Sequence, residues 1–287
     1  MNVLMVGGTR FFGKHAVREL IALGHNVTIA TRGTTPDDFG DAVQRIHLDR
    51  ANPDAVREKL SGMHFDAVLN NICYSSNDVR SLLDNVTCDR YVLTSSASVY
   101  VNHMDTHEED FDPLNYPLVW CNREDYSYEE IKRQTETALF QAYPHVNGVA
   151  IRFPYVVGPD DYSGRFRFYI DHVMTGTPMH ITNMDSTLGF IRAQDAGHFL
   201  VQLMQSDFRG TINGGSPEGI SVGEMLQYVT ERTGKTPVLS PDGDEAPYNP
   251  ETPFTLNVER AAANGMNFPP LKDWIYGLID HFIAENA

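Results

Sequence analysis

The chain of 287 residues is short of basic side chains: 22 Lys and Arg stand against 38 Asp and Glu, a formal net charge of -16 at pH 7. Polyanion binding draws on many cations that displace counterions, so this deficit argues against a nucleic-acid partner. A small anionic ligand stays compatible with it, because a few N–H groups or one arginine suffice. Long hydrophobic runs are missing as well, and nothing approaches the roughly 18 apolar residues of a membrane helix. The start, Met1-Asn-Val-Leu-Met-Val-Gly7, has no basic segment and reaches glycine after a few apolar residues, unlike a signal peptide. Cysteine is scarce: Cys73, Cys88 and Cys121 form no C-x-x-C pair and leave an odd one out, which points to a reducing, cytoplasmic setting and away from structural zinc. No H-E-x-x-H motif exists, and His103 and His107, beside Glu108, Glu109 and Asp110, read as a solvated loop, so no metal is expected.

What is present is the composition of a globular protein, 41% hydrophobic and 21% charged. Short apolar, β-branched runs at 3–6, 27–31, 43–47, 67–72, 91–94 and 149–153 are predicted strands. Between them, apolar residues at spacings of three and four predict helices over 12–23, 54–60, 78–86 and 128–142. Repeated strand–helix–strand units imply a doubly wound parallel α/β sheet, a Rossmann-type body over 1–155. From 156 to 287 the rhythm changes to a small α/β lobe, some of whose segments return to the first body. Helices are predicted there over 165–174, over 196–205 with Asp195 as cap, over 221–233 with a Ser221/Glu224 capping box, and over 271–283. Residues 240–253, rich in Pro, Asp and Gly, read as a loop.

Three features carry chemistry. The first is Gly7-Gly8-Thr9-Arg10-Phe11-Phe12-Gly13, a glycine-rich turn between strand and helix. Such a turn lets the backbone approach a dinucleotide pyrophosphate and aims helix N-terminal N–H groups at its charge. The second is the end of the second strand, Thr31-Arg32-Gly33, where NAD enzymes usually carry an acid for the ribose hydroxyl. With no acid there, Arg32, helped by Arg10, favours NADP over the alternative NAD. The third is Tyr128-Glu-Glu-Ile-Lys132, whose spacing sets phenol and ammonium on one helix face, so that Lys132 lowers the tyrosine pKa. Tyr126 competes for this role, but its partner four residues on is Glu130. The fifth strand ends in Thr94-Ser95-Ser96-Ala97-Ser98-Val99-Tyr100, and a serine there would bond the same substrate oxygen.

Together with Leu48-Asp49-Arg50, Glu136, Arg152-Phe-Pro-Tyr-Val-Val-Gly158-Pro159 and Phe190-Ile-Arg-Ala-Gln-Asp195, these motifs resemble the extended short-chain dehydrogenase/reductases, the NAD-dependent epimerase/dehydratase family. The resemblance covers nearly the whole chain. It implies Ser96, Tyr128 and Lys132 as the catalytic trio, Asp49 and Arg50 beside the adenine end, Lys132 and the stretch from Asn70 to Cys73 beside a ribose, and Phe153-Pro154 against the nicotinamide. It also implies hydride transfer at a hydroxyl or carbonyl of a nucleotide sugar, and a homodimer through the tyrosine helix and its neighbour. Arg10 and Thr31-Arg32-Gly33 are similar to a subgroup that includes the chloroplast stem-loop-binding proteins of plants. Dehydratases of the family carry an Asp-Glu pair where Ala97-Ser98 stands, which argues against 4,6-dehydration; Tyr155 stands where many epimerases have Asn. Ser98, Tyr155 and Arg165 are the expected substrate contacts. The run Tyr162-Ser-Gly-Arg165-Phe-Arg167-Phe-Tyr169 interleaves arginines and aromatics as a nucleic-acid platform does, but the acidic balance favours a lobe helix with aromatics packed inward.

Overall fold

The computed structural model describes residues 1–286. Its first half alternates strand and helix: β1 (Asn2–Val6), α1 (Phe11–Ala22), β2 (Asn26–Thr31), β3 (Val43–His47), α2 (Pro53–Leu60), β4 (Met63–Asn70), α3 (Ser76–Leu83), β5 (Val86–Ser96), α4 (Tyr128–Thr137) and β6 (Gly148–Phe153). The second half adds β7 (Tyr155–Val157), α5 (Arg165–Thr175), β8 (Met179–His180), β9 (Thr187–Leu188), β10 (Phe190–Arg192), α6 (Ala193–Gln205), β11 (Gly210–Asn213), β12 (Ile220–Ser221), α7 (Val222–Thr233), β13 (Asp244–Glu245), α8 (Glu259–Ala263) and α9 (Ile275–Glu285).

Seven strands form one parallel sheet in the order β11-β6-β5-β4-β1-β2-β3. Val3, Leu4 and Met5 are fully buried, as a strand covered on both faces requires. One face packs on α1 and α6, the other on α2, α3 and α4. The chain order reverses between β1 and β4, which opens a crevice at the carboxyl ends of the strands. The third core lies in the lobe, where α5, α7 and α9 pack together beside the small pairs β7–β10, β9–β12 and β8–β13. Among the described residues no helix is long and apolar enough to cross a membrane.

Two local expectations are corrected, and one strand was not foreseen. The helix predicted to reach Val86 ends at Leu83, because Val86 pairs with Met63 and opens β5. Asp195 does not cap α6: the helix starts at Ala193, and the Asp195 carboxylate instead takes the Arg192 guanidinium at 2.9 and 3.0 Å. Strand β11 has only four residues, too few for a periodic signal, yet it lies parallel to β6 within the main sheet. The Ser221/Glu224 capping box forms as expected, with reciprocal bonds of 3.0 and 2.9 Å. In the 240–253 loop Ala246 and Tyr248 are buried, and the Tyr248 N–H donates to the Tyr169 hydroxyl at 3.1 Å.

Candidate functional site

A cleft of about 770 Å³ runs between the carboxyl ends of the strands and the lobe. One end begins at the glycine turn. Gly7 and Gly8 have φ of +101° and +95°, a region that side chains disfavour. Gly13 is glycine for space: a Cβ there would stand 2.8 Å from Asn71 Nδ2 and 3.0 Å from the Gly8 Cα. Thr9 and Arg10 complete the turn. Arg10 stands at the N-cap of α1 without a capping side-chain bond, and no acid occupies the first turn, so the leading N–H groups are left for an anion. The Arg10 Nε donates to Thr35 Oγ1 at 2.9 Å. Phe11 and Phe12 line the cleft, and Phe12 meets Phe153 edge-on at 5.7 Å.

At the end of β2, Arg32 is exposed, and the acids that follow are committed elsewhere: Asp37 to Arg45 and Asp38 to Arg18, each at 2.6 Å. Asp49 is exposed after β3 and accepts from the Ala51 N–H at 3.1 Å. Arg50 is ion-paired with Asp78 and stacks on Tyr74 at 4.8 Å. Two expected cofactor contacts lie beneath the cleft instead of in it. Asn70, on β4, points into the sheet layer and donates to the buried Tyr91 hydroxyl at 2.8 Å. Strand alternation turns the next residue, Asn71, toward the turn, where it accepts from Thr94 Oγ1 at 3.0 Å. The Cys73 thiol is fully buried, and burial pushes its pKa up to about 12; its backbone oxygen accepts from Lys132 Nζ.

Ser96, Tyr128 and Lys132 share the middle of the cleft. Ser96 ends β5 and accepts from the Ser98 N–H at 3.2 Å, turning the chain through one short helical turn. The preceding Ser95 belongs to another network, donating to the buried Glu136 at 2.5 Å. Tyr128 is the first residue of α4, whose N-cap is Ser127. Lys132, one turn on, is buried; its Nζ donates to Cys73 O at 2.8 Å and Thr94 O at 2.9 Å, and stands 6.0 Å from the centre of the Tyr128 ring.

Burial raises the Tyr128 phenol above its ordinary value near 10, while the nearby Ser96 hydroxyl and the charges of Arg165 and Arg123 pull it down and Glu129 pushes it up. The Lys132 ammonium donates to two carbonyls, and burial lowers its own pKa. Tyr128 is 45% exposed, so bulk water moderates the upward push.

The lobe side carries Tyr155 and Arg165, with the Arg165 guanidinium 5.1 Å from the Tyr155 ring centre. Ser98 also lines the cleft, and its buried Oγ has no partner among the described residues. In the aromatic–arginine run, Phe166 and Tyr169 are buried and Arg167 pairs with Asp171 and Glu285, as a packed lobe helix requires. His103 and His107 pair with different carboxylates, Asp110 and Asp105. Sequence reasoning did not single out Tyr74, Asn102, Arg123 or Glu251, which also line the cleft. They sit on irregular segments with no periodic or motif signal, and folding alone brings them in.

Comparison with known proteins agrees with this architecture. Residues 3–88 match the model of the NAD dependent epimerase/dehydratase family. The chain is 30% identical over 211 residues to the Arabidopsis thaliana protein named chloroplast stem-loop binding protein of 41 kDa b, an alignment covering 67% of this chain and 52% of that relative, so the chain spans about half of that relative's length. Among solved structures, the UDP-glucose 4-epimerase of Thermotoga maritima with UDP-glucose superposes with a TM-score of 0.76 at 16% identity, covering 100% of both chains. The UDP-glucuronic acid 4-epimerase of Bacillus cereus, in complex with UDP-glucuronic acid and NAD, gives 0.73 at 17% identity, covering 99% of this chain and 100% of its own.

Proposed function

The chain belongs to the NAD-dependent epimerase/dehydratase family, and from that premise we propose an NAD(P)-dependent epimerase or reductase working at a hydroxyl or carbonyl of a nucleotide-linked sugar. One observation carries the reading: Ser96, Tyr128 and Lys132 converge in a cleft that begins at an uncapped helix N-terminus. The residues fit a dinucleotide. The N–H groups of α1 would take its pyrophosphate, the tight approach of Gly13 to Asn71 and Gly8 packs the helix start against the turn, and Phe153 would flank the nicotinamide. Exposed Arg32, with Asp37 and Asp38 neutralised by other arginines, supports NADP as the form preferred.

When bound, the dinucleotide supplies a hydride acceptor and donor. Tyr128 takes the proton of the substrate hydroxyl, or returns it to the carbonyl oxygen. Ser96 holds the same oxygen and its hydrogen bond steadies the phenolate. Lys132 clamps β5 and the segment after β4 through two carbonyls, which fixes the floor against which a ribose would rest. The inward packing of Phe166 and Tyr169 argues against the stem-loop partner named for the Arabidopsis relative.

The test joins two measurements. Native mass spectrometry of the purified protein should find bound dinucleotide, with the mass of NADP. Tyr128→Phe should cut turnover by at least about 100-fold, the scale of proton-transfer catalysis, with dinucleotide occupancy retained. Unchanged turnover in that variant removes Tyr128 from the reaction.

A further inference from the structure

We infer that Tyr74 is a positioning residue: its ring face is the third partner of the buried Lys132 ammonium and fixes where that charge stands. The inference rests on the Ser96–Tyr128–Lys132 reading above. Lys132 is only 2% exposed, and among the described residues no carboxylate forms an ion pair with it. Glu136, one turn along the same helix, is committed to Arg152 and Ser95. A buried charge is costly unless its donors find partners, and an ammonium has three of them. The carbonyls of Cys73 and Thr94 take two. The Tyr74 ring supplies a further side, with Nζ 5.1 Å from its centre, nearer than the 6.0 Å to the Tyr128 ring. The negative face of an aromatic ring attracts a cation at this range, most strongly where water is excluded.

The ring is itself held in place. The Tyr74 N–H donates to Asp78 Oδ2 at 2.8 Å, and the same carboxylate pairs with Arg50, whose guanidinium lies over the ring at 4.8 Å. Asp78 belongs to the first turn of α3, where its N–H donates to the Ser75 cap at 3.1 Å. Arg123 lies over the ring at 4.6 Å. Asp78 balances the Arg50 charge and water screens the exposed Arg123, so three cations tolerate one another around one ring. The other titratable groups about the ammonium are Cys73 and, on its own helix, Tyr128 and Glu136. Held in this way, the ammonium keeps its charge one helical turn from the Tyr128 phenol, where a positive charge favours the phenolate.

The test follows the lysine directly. The chain has five lysines, so protein isotopically labelled at the lysine ε-carbons gives few signals to resolve by NMR, and K132R identifies that of Lys132. Its titration should match the parent's in Y74F, which keeps the ring, and should fall by about one pH unit in Y74L, the scale of a cation–π contact out of water. In turnover, the rise of kcat/KM with pH that ionisation of Tyr128 gives should move to higher pH in Y74L. An unmoved lysine signal in Y74L, or an equal movement in Y74F, overturns the hold. A kcat/KM limb that stays while the signal moves marks a structural contact and overturns the positioning role. Nuclear Overhauser contacts between the Lys132 ε-protons and the Tyr74 ring should appear in the unmodified protein; their absence overturns the hold whether or not Y74L folds. The lysine titration needs no substrate, so a failure of nucleotide sugars to turn over falls on the functional reading and leaves the titration to decide the hold.

Discussion

At the scale of single residues, the spacing Tyr128-x-x-x-Lys132 was readable in the sequence, but the electrostatic partner of the phenol was not. Two N–H groups of the ammonium go to the carbonyls of Cys73 and Thr94, and Arg165 and Arg123, remote in the chain, add charges that favour the phenolate. The sign of the pH dependence follows. A phenol raised above 10 is mostly protonated near neutrality, so oxidation of the hydroxyl substrate should speed up as pH rises from 7 through the alkaline range. Arg165→Gln removes a charge that lowers the pKa, so its rising limb should move to higher pH. Profiles of kcat/KM against pH for both proteins check this; an unmoved or downward-shifted limb would exclude Arg165 from the field on Tyr128.

At the scale of elements, the glycines of the β1–α1 turn are demanded by backbone conformation and close packing, which is what a dinucleotide cradle would need. Gly13→Ala would set a methyl 2.8 Å from Asn71 Nδ2 and 3.0 Å from the Gly8 Cα, forcing the turn open. Overpacking of this kind costs ~1–3 kcal/mol. Dinucleotide affinity should fall by about ten-fold, measured by calorimetric titration. A variant that binds as tightly as the parent would show that the turn does not close on the ligand. Asn71 makes the same point from the other side: one step past β4, alternation separates it from Asn70, which goes to the buried Tyr91.

At the scale of the whole molecule, a buried ion pair ties α4 to the sheet. Arg152 on β6 and Glu136 on α4 are both fully buried and bonded at 2.6 Å, and the guanidinium also reaches the Tyr100 hydroxyl and the carbonyls of Glu108 and Phe111 at 2.8–3.0 Å. Tyr100 passes the network to Asn213 on β11 at 2.7 Å, so the last strand of the sheet is joined to it. Arg152→Leu leaves the Glu136 charge without its partner and should cost about 3–5 kcal/mol of stability, read from urea unfolding. Adding Glu136→Leu should restore part of that loss. A double variant no more stable than the single one would mean that the pair matters for shape and not for charge.

The sequence by itself determined the alternation of strand and helix, the glycine turn and the Tyr128-x-x-x-Lys132 spacing, because each is written in local spacing, and its motifs together carried the family resemblance. Periodicity and turn chemistry act over a few residues, and a sequence holds that information directly. Tertiary structure alone decided that residues 210–213 complete the sheet, that Asn71 replaces Asn70 at the turn, and that Tyr74, Arg123 and Glu251 enter the cleft. It also decided which charges act on Tyr128. Burial and Coulomb interactions depend on distance in space, and segments far apart in the chain meet only when the sheet and the lobe have packed.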